Sequence, residues 1–238
     1  MSAGPVLKAL AGTGLALVWS NLVLPGLELD QRGRTAVNAC FATGYGLALG
    51  GRSHWWSGKG ARVGAAAGSL VLAGYGAAVA IPALRESLRE FAAPEQEVSD
   101  VEWVAVHIPI GTVYSEELIF RSTLEPLLDN AFGARLGRLL GAATFGLWHI
   151  HSARAGSEPV VPTVLLTAVG GALFGQLRRS TGSTTAPALV HYAINAGGVV
   201  ARRTALESLF RERPDRRASP AGSAVPRLTS HTSPMRLT

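Results

Sequence analysis

An all-α, polytopic transmembrane bundle of about seven helices enclosing a buried polar active site is the fold class that this sequence predicts, on three observations. Of its 238 residues 47% are hydrophobic and only 16% are charged, a balance too apolar for a water-soluble domain of this length. The apolar residues fall into long blocks rather than short alternating patterns, and a chain in hydrocarbon satisfies its backbone by coiling into helices. Two of the blocks are interrupted by ionisable side chains. Each such group costs roughly 2.5–3.5 kcal/mol at mid-membrane, so it marks a polar interior or a function.

Taken in order, the runs 9–27, 35–51, 63–84, 159–177 and 180–201 lack charged residues, and each approaches the roughly 20 residues that span about 30 Å of hydrocarbon. The first follows Lys8 and is too long for the apolar part of a signal peptide, so it reads as a retained helix. The second is short and glycine-rich, which predicts a shallow or little-tilted span. The interrupted blocks are 102–128, holding His107, Glu116, Glu117, Arg121 and Glu125, and 138–151, holding His149 and His151. Residues 1–201 are therefore read as the bundle. The segment 202–238 is rich in Arg, Ser and Pro without apolar periodicity, and is expected to be a basic disordered tail.

The connections carry their own signals. Residues 52–62 form a basic loop with Trp55 and Trp56, a pair suited to the headgroup belt. Residues 85–100 turn mostly acidic around Pro94 and read as the longest water-facing linker. Glycine and alanine recur at four-residue spacing in Gly60-Gly64-Gly68 and Ala42-Gly46-Gly50, a pattern for close helix packing. The net charge of +6 sits in loops and tail without aromatic interleaving. Nucleic acid is therefore not an expected partner, whereas anionic lipid is. Basic loops and basic tail fall on opposite sides of seven spans, which leaves the orientation open. Cys40 is the single cysteine; it excludes a Cys-rich zinc site and reads as a small buried hydrophobe.

Three constellations carry chemistry. In Glu116-Glu117-Leu118-Ile119-Phe120-Arg121, Glu117 and Arg121 are four apart and pair along one helix face, while Glu116 points about 100° away and is left free to act as a base. In Phe145-Gly146-Leu147-Trp148-His149 a histidine ends an apolar helix; His151, two positions on, faces away and reads as a surface residue. In His191-Tyr192-Ala193-Ile194-Asn195 two polar side chains share one stripe of a membrane helix, and they need a polar neighbour inside the bundle.

These elements, EELIFR, FGLWH and HYAIN, resemble the EExxxR, FxxxH and HxxxN/D motifs of the CPBP intramembrane proteases, the family of CAAX prenyl endopeptidases and bacteriocin-processing relatives. The resemblance covers about 103–200. It implies a membrane endopeptidase with catalytic Glu116, His149, His191 and Asn195, supported by Glu117, Arg121 and Phe145. Glu116 with His149 would activate a water, and His191 with Asn195 would stabilise the oxyanion. No cofactor is expected on this reading; the alternative is a zinc-dependent protease with Glu116, His149 and His191 as ligands. A further alternative is a non-catalytic binding or immunity scaffold of the same fold. The expected partners are a peptide or membrane-protein substrate and membrane lipids. Alanine, glycine and arginine abound and Lys8 and Lys59 are the only lysines, a composition that points to a bacterial plasma membrane.

Overall fold

The computed structural model describes residues 3–52, 54–90 and 97–212, and every regular element among them is helical. Helix α1 spans Ala3–Gly26 with a π turn at Trp19–Val23. It is followed by α2, Gln31–Leu49, α3, Gly58–Ala80, and the short α4, Pro82–Glu90. Next come two π-helical stretches, π1 at Trp103–Tyr114 and π2 at Glu117–Leu124. They run into α5, Glu125–Trp148, then the short α6, Ile150–Ala155, α7, Val160–Thr181, and α8, Thr185–Glu212.

Local chemistry sets these boundaries. The side chains of Asp30, Ser57 and Ser99 accept hydrogen bonds from the backbone N–H groups of Gly33, Gly60 and Glu102, capping the starts of α2, α3 and the turn that leads into π1. Gly50 ends α2 in the left-handed conformation, with φ 70°. In α5, Gly133 adopts φ 77° and ψ 160° and breaks the helix in two, a conformation that a side chain would resist. This break separates the two interrupted apolar blocks of the sequence.

The π winding has a local cause as well. Pro109 lies inside π1 and donates no backbone hydrogen bond. The hydroxyls of Ser115 and Thr123 bond carbonyls five residues back, at Ile110 (3.0 Å) and Leu118 (2.8 Å).

Helix α3 packs along α8, α5 along α7, α1 against α5, and α2 against both π stretches. The outer faces carry large apolar side chains in the open, among them Leu47 at 80%, Leu70 at 75% and Leu166 at 74% exposure. That is the pattern of a surface facing lipid. Three helices, α1, α3 and α7, are long and apolar enough by themselves to cross a membrane. The other long helices carry the polar residues that turn inward.

The glycine spacing is explained by packing at α3. Gly60, Gly64 and Gly68 are buried, and a Cβ added at Gly64 would stand 2.8 Å from the Ala186 Cα of α8. Gly64→Val is expected to force the two helices apart at a cost of about 1–3 kcal/mol, read as a lower unfolding temperature in detergent. In the second stripe Ala42 and Gly46 are buried, but Gly50 terminates the helix instead of packing.

Several expectations are corrected. Helix α8 runs on through 202–212, so the bundle extends past residue 201; 213–238 lie outside the described residues. The linker expected at 85–100 begins as the end of α4, and Pro94 lies outside the described residues. Cys40 is exposed, because α2 turns Thr35, Asn38, Ala42 and Tyr45 inward instead. Trp56 is 96% exposed, while Trp55 folds back to stack on Tyr114, with ring centroids 5.9 Å apart.

Candidate active site

A cavity of about 480 Å³ opens between α1, α2, π1 and α5. Glu116, Trp148, His149 and Asn195 line it, together with Thr35, Asn38, His107 and His151. Its floor is buried at Glu116 and Trp148, and exposed Glu97, Ser152 and Ala155 form its rim.

Glu116 and Glu117 are adjacent and both buried, yet they meet different surroundings. Oε1 of Glu116 accepts a hydrogen bond from the Trp148 indole N–H at 3.1 Å. Its Oε2 has no hydrogen-bond partner and lies 3.8 Å from His191 Nε2. Glu117 instead accepts from His191 Nδ1 at 2.9 Å and lies 3.5 Å from Arg121 Nε. His191 thus sits between the two carboxylates, with its ring stacked on Phe174 at 4.8 Å. It backs Glu116 from behind and does not line the cavity itself.

Arg121 is 1% exposed, with Nε 3.5 Å from Glu117 and 3.5 Å from Glu125. Its guanidinium lies 4.5 Å from the Phe145 ring centroid and 5.2 Å from that of Phe174, so the aromatic faces supply part of its stabilisation. Beyond it, Arg178 and Arg179 approach both Glu125 and Asp129. This chain sets three carboxylates, Glu117, Glu125 and Asp129, against three guanidiniums, Arg121, Arg178 and Arg179. It is charge-balanced without Glu116.

His149 lies at the turn that closes α5, with φ −92° and ψ 5°. Its Nδ1 is 2.7 Å from the Phe145 carbonyl. A carbonyl only accepts, so Nδ1 carries the hydrogen and Nε2 of the neutral ring keeps its lone pair. The Asn195 amide donates to the His191 carbonyl at 3.0 Å, which leaves its second N–H and its oxygen uncommitted to that bond.

Four features were not legible as site residues. The turn at His149 breaks the helical register, so His151 lines the cavity rather than facing away from it. Trp148 gives no spacing signal of its role, although a buried indole N–H needs an acceptor; Glu116 supplies it. His107 was visible as an interruption without a role; about nine residues before Glu116, it would stand on the opposite face of an α-helix at 3.6 residues per turn. A π helix has roughly 4.4 residues per turn, so both land on one face about two turns apart, and both line the cavity. His107 Nδ1 is 2.7 Å from the Thr35 hydroxyl, and Nε2 is 3.3 Å from Glu102. At that edge Arg32 donates hydrogen bonds to both oxygens of Glu102, at 2.7 and 2.9 Å. Finally, Gln31, Arg34, Thr35 and Asn38 form an i, i+3, i+4, i+7 stripe on α2, a periodicity present in the sequence.

The zinc alternative requires Glu116, His149 and His191 to act as a three-ligand set. Among the described residues no three His, Cys, Asp or Glu side chains are grouped to hold a metal ion. Nδ1 of His191 is held by Glu117 and that of His149 by the Phe145 carbonyl, which leaves Nε2 of each ring uncommitted to those bonds.

A helical bundle with lipid-type outer faces and a buried carboxylate–histidine cavity defines an integral membrane protein with an enclosed polar site. Residues 99–197 match the family model described as Rce1-like, type II CAAX prenyl endopeptidase Rce1-like. Over that segment the chain is similar to membrane proteases of the CAAX-endopeptidase type. Comparison with curated proteins and with solved structures gave no match.

The indole bond to Glu116 provides a mild test of the geometry. Trp148→Phe keeps the ring and removes the donor, so proteolytic turnover is expected to fall about tenfold with KM little changed. Steady-state kinetics on a cleaved peptide would read both parameters.

Proposed function

We propose that this protein is an intramembrane endopeptidase that hydrolyses peptide bonds with a water activated by Glu116. The observation that carries this reading is Glu116, a buried carboxylate whose Oε2 has no hydrogen-bond partner, in the lining of a cavity that His149 and Asn195 also line. A carboxylate so placed accepts a proton from water, and His149 Nε2 orients that water through its lone pair. The hydroxide attacks the scissile carbonyl carbon, and the Asn195 N–H donates to the oxyanion. The C–N bond then breaks as Glu116 returns its proton to the leaving amine. His191 serves the carboxylate more directly than the oxyanion: held by Glu117, its Nε2 steadies the proton taken up at Glu116. On this reading the oxyanion role expected of His191 and Asn195 together falls to Asn195.

The substrate on this reading is a peptide or membrane-protein segment, and the composition favours a bacterial plasma membrane. The test compares peptides released from membranes holding the wild type or Glu116→Gln, using mass spectrometry. Cleavage products present only with the wild type are expected. Identical peptide profiles would favour the non-catalytic scaffold.

A further inference from the structure

Helix α2 lies outside the matched segment 99–197, yet it builds one wall of the cavity through Gln31, Arg34, Thr35 and Asn38. Three of these have partners. Gln31 reaches the Thr35 hydroxyl at 3.4 Å, Thr35 bonds His107, and Asn38 joins the Trp19 indole to the Gly111 carbonyl. Arg34 is half-buried in the cavity lining, and its guanidinium has no ion pair or hydrogen bond among the described residues.

Its neighbours show that this is not a shortage of acids. Arg32 is held by Glu102 at 2.7 Å, and Arg203 by Asp100 at 2.8 Å. Asp30 spends an oxygen on the Gly33 N–H, and Glu97, on the cavity rim, spends one on the Gln31 N–H at 2.8 Å. The local carboxylates thus cap the start of α2 and leave Arg34 to face the cavity. The N-terminal end of α2 adds partial positive charge at the same place.

Resting on the protease reading above, we propose that Arg34 is a specificity-determining residue that binds a carboxylate of the peptide substrate at the cavity mouth while the scissile bond lies near Glu116. A guanidinium can grip a carboxylate with two parallel hydrogen bonds. The carboxylate is either the free C-terminus of the peptide or an acidic side chain near the cut.

The test uses full-length protein in detergent and a synthetic peptide library in three forms: free C-terminus, C-terminal amide, and Asp and Glu replaced by Asn and Gln. Binding is read by capture on the Glu116→Gln protein, with and without Arg34→Gln and Arg34→Lys. Carboxylate-bearing peptides are expected to bind about tenfold more weakly to the Arg34→Gln form, with partial recovery for lysine. Amidation should weaken binding only where Arg34 is intact if the C-terminus is the ligand; side-chain neutralisation should do so if an acidic residue is. Equal capture with and without Arg34, or capture by neither, would overturn the proposal. Hydrolysis by Glu116→Gln at the wild-type rate would instead overturn the catalytic reading, so the two failures are distinct.

Discussion

Glu116→Gln is expected to lower proteolytic turnover by roughly 10²–10⁴-fold, the range for loss of a positioned general base, while leaving the protein at least as heat-stable as the wild type. The two halves of this result come from one fact. Glu116 Oε2 is buried without a hydrogen bond, so the carboxylate gives little to the fold and keeps one oxygen uncommitted. The amide retains the size of the side chain and an oxygen for the Trp148 indole, so the cavity keeps its shape. Turnover on a cleaved peptide and thermal unfolding in the same detergent are the two measurements. Full activity would remove Glu116 as the base, and a collapsed melting temperature would make it a structural residue.

Arg121→Met is expected to do the reverse and destabilise the fold by about 3–5 kcal/mol, because removing one partner strands buried charges. Arg121 is the bridge between Glu117 and Glu125, at 3.5 Å from each, and it is buried against Phe145 and Phe174. Neutralising both carboxylates in the same protein, with Glu117→Gln and Glu125→Gln, should recover most of that loss, since the orphaned charges then vanish. Arg121→Lys should recover less, because a compact ammonium cannot span both carboxylates while lying flat on the rings. Denaturant unfolding of the series reads these differences. An Arg121→Met protein as stable as the wild type would show that the buried chain of charges does not hold the core.

The three-against-three chain from Glu117 to Asp129 is also why the adjacent glutamates part company. In the sequence the pairing of Glu117 with Arg121 was visible from spacing alone. The extension through Glu125 to Arg178 and Arg179 was not, because it joins π2 and α5 to α7 across about fifty residues of chain. In the sequence Arg178 and Arg179 stand between two apolar runs; packing of α5 along α7 makes them partners of Glu125 and Asp129.

The sequence by itself determined the helical class, the inward glycine face of α3 and the pairing of Glu117 with Arg121, since each depends on local spacing or on the cost of an ionisable group in hydrocarbon. Tertiary structure alone decided which partner each side chain keeps. The π winding turned His107 to the same side as Glu116, the turn at His149 brought His151 to the cavity, and α2 supplied the wall with Arg34. The wall from α2 follows from helix packing between distant segments, which residue spacing does not encode, whereas the π winding also answers to Pro109, Ser115 and Thr123 within its own stretches.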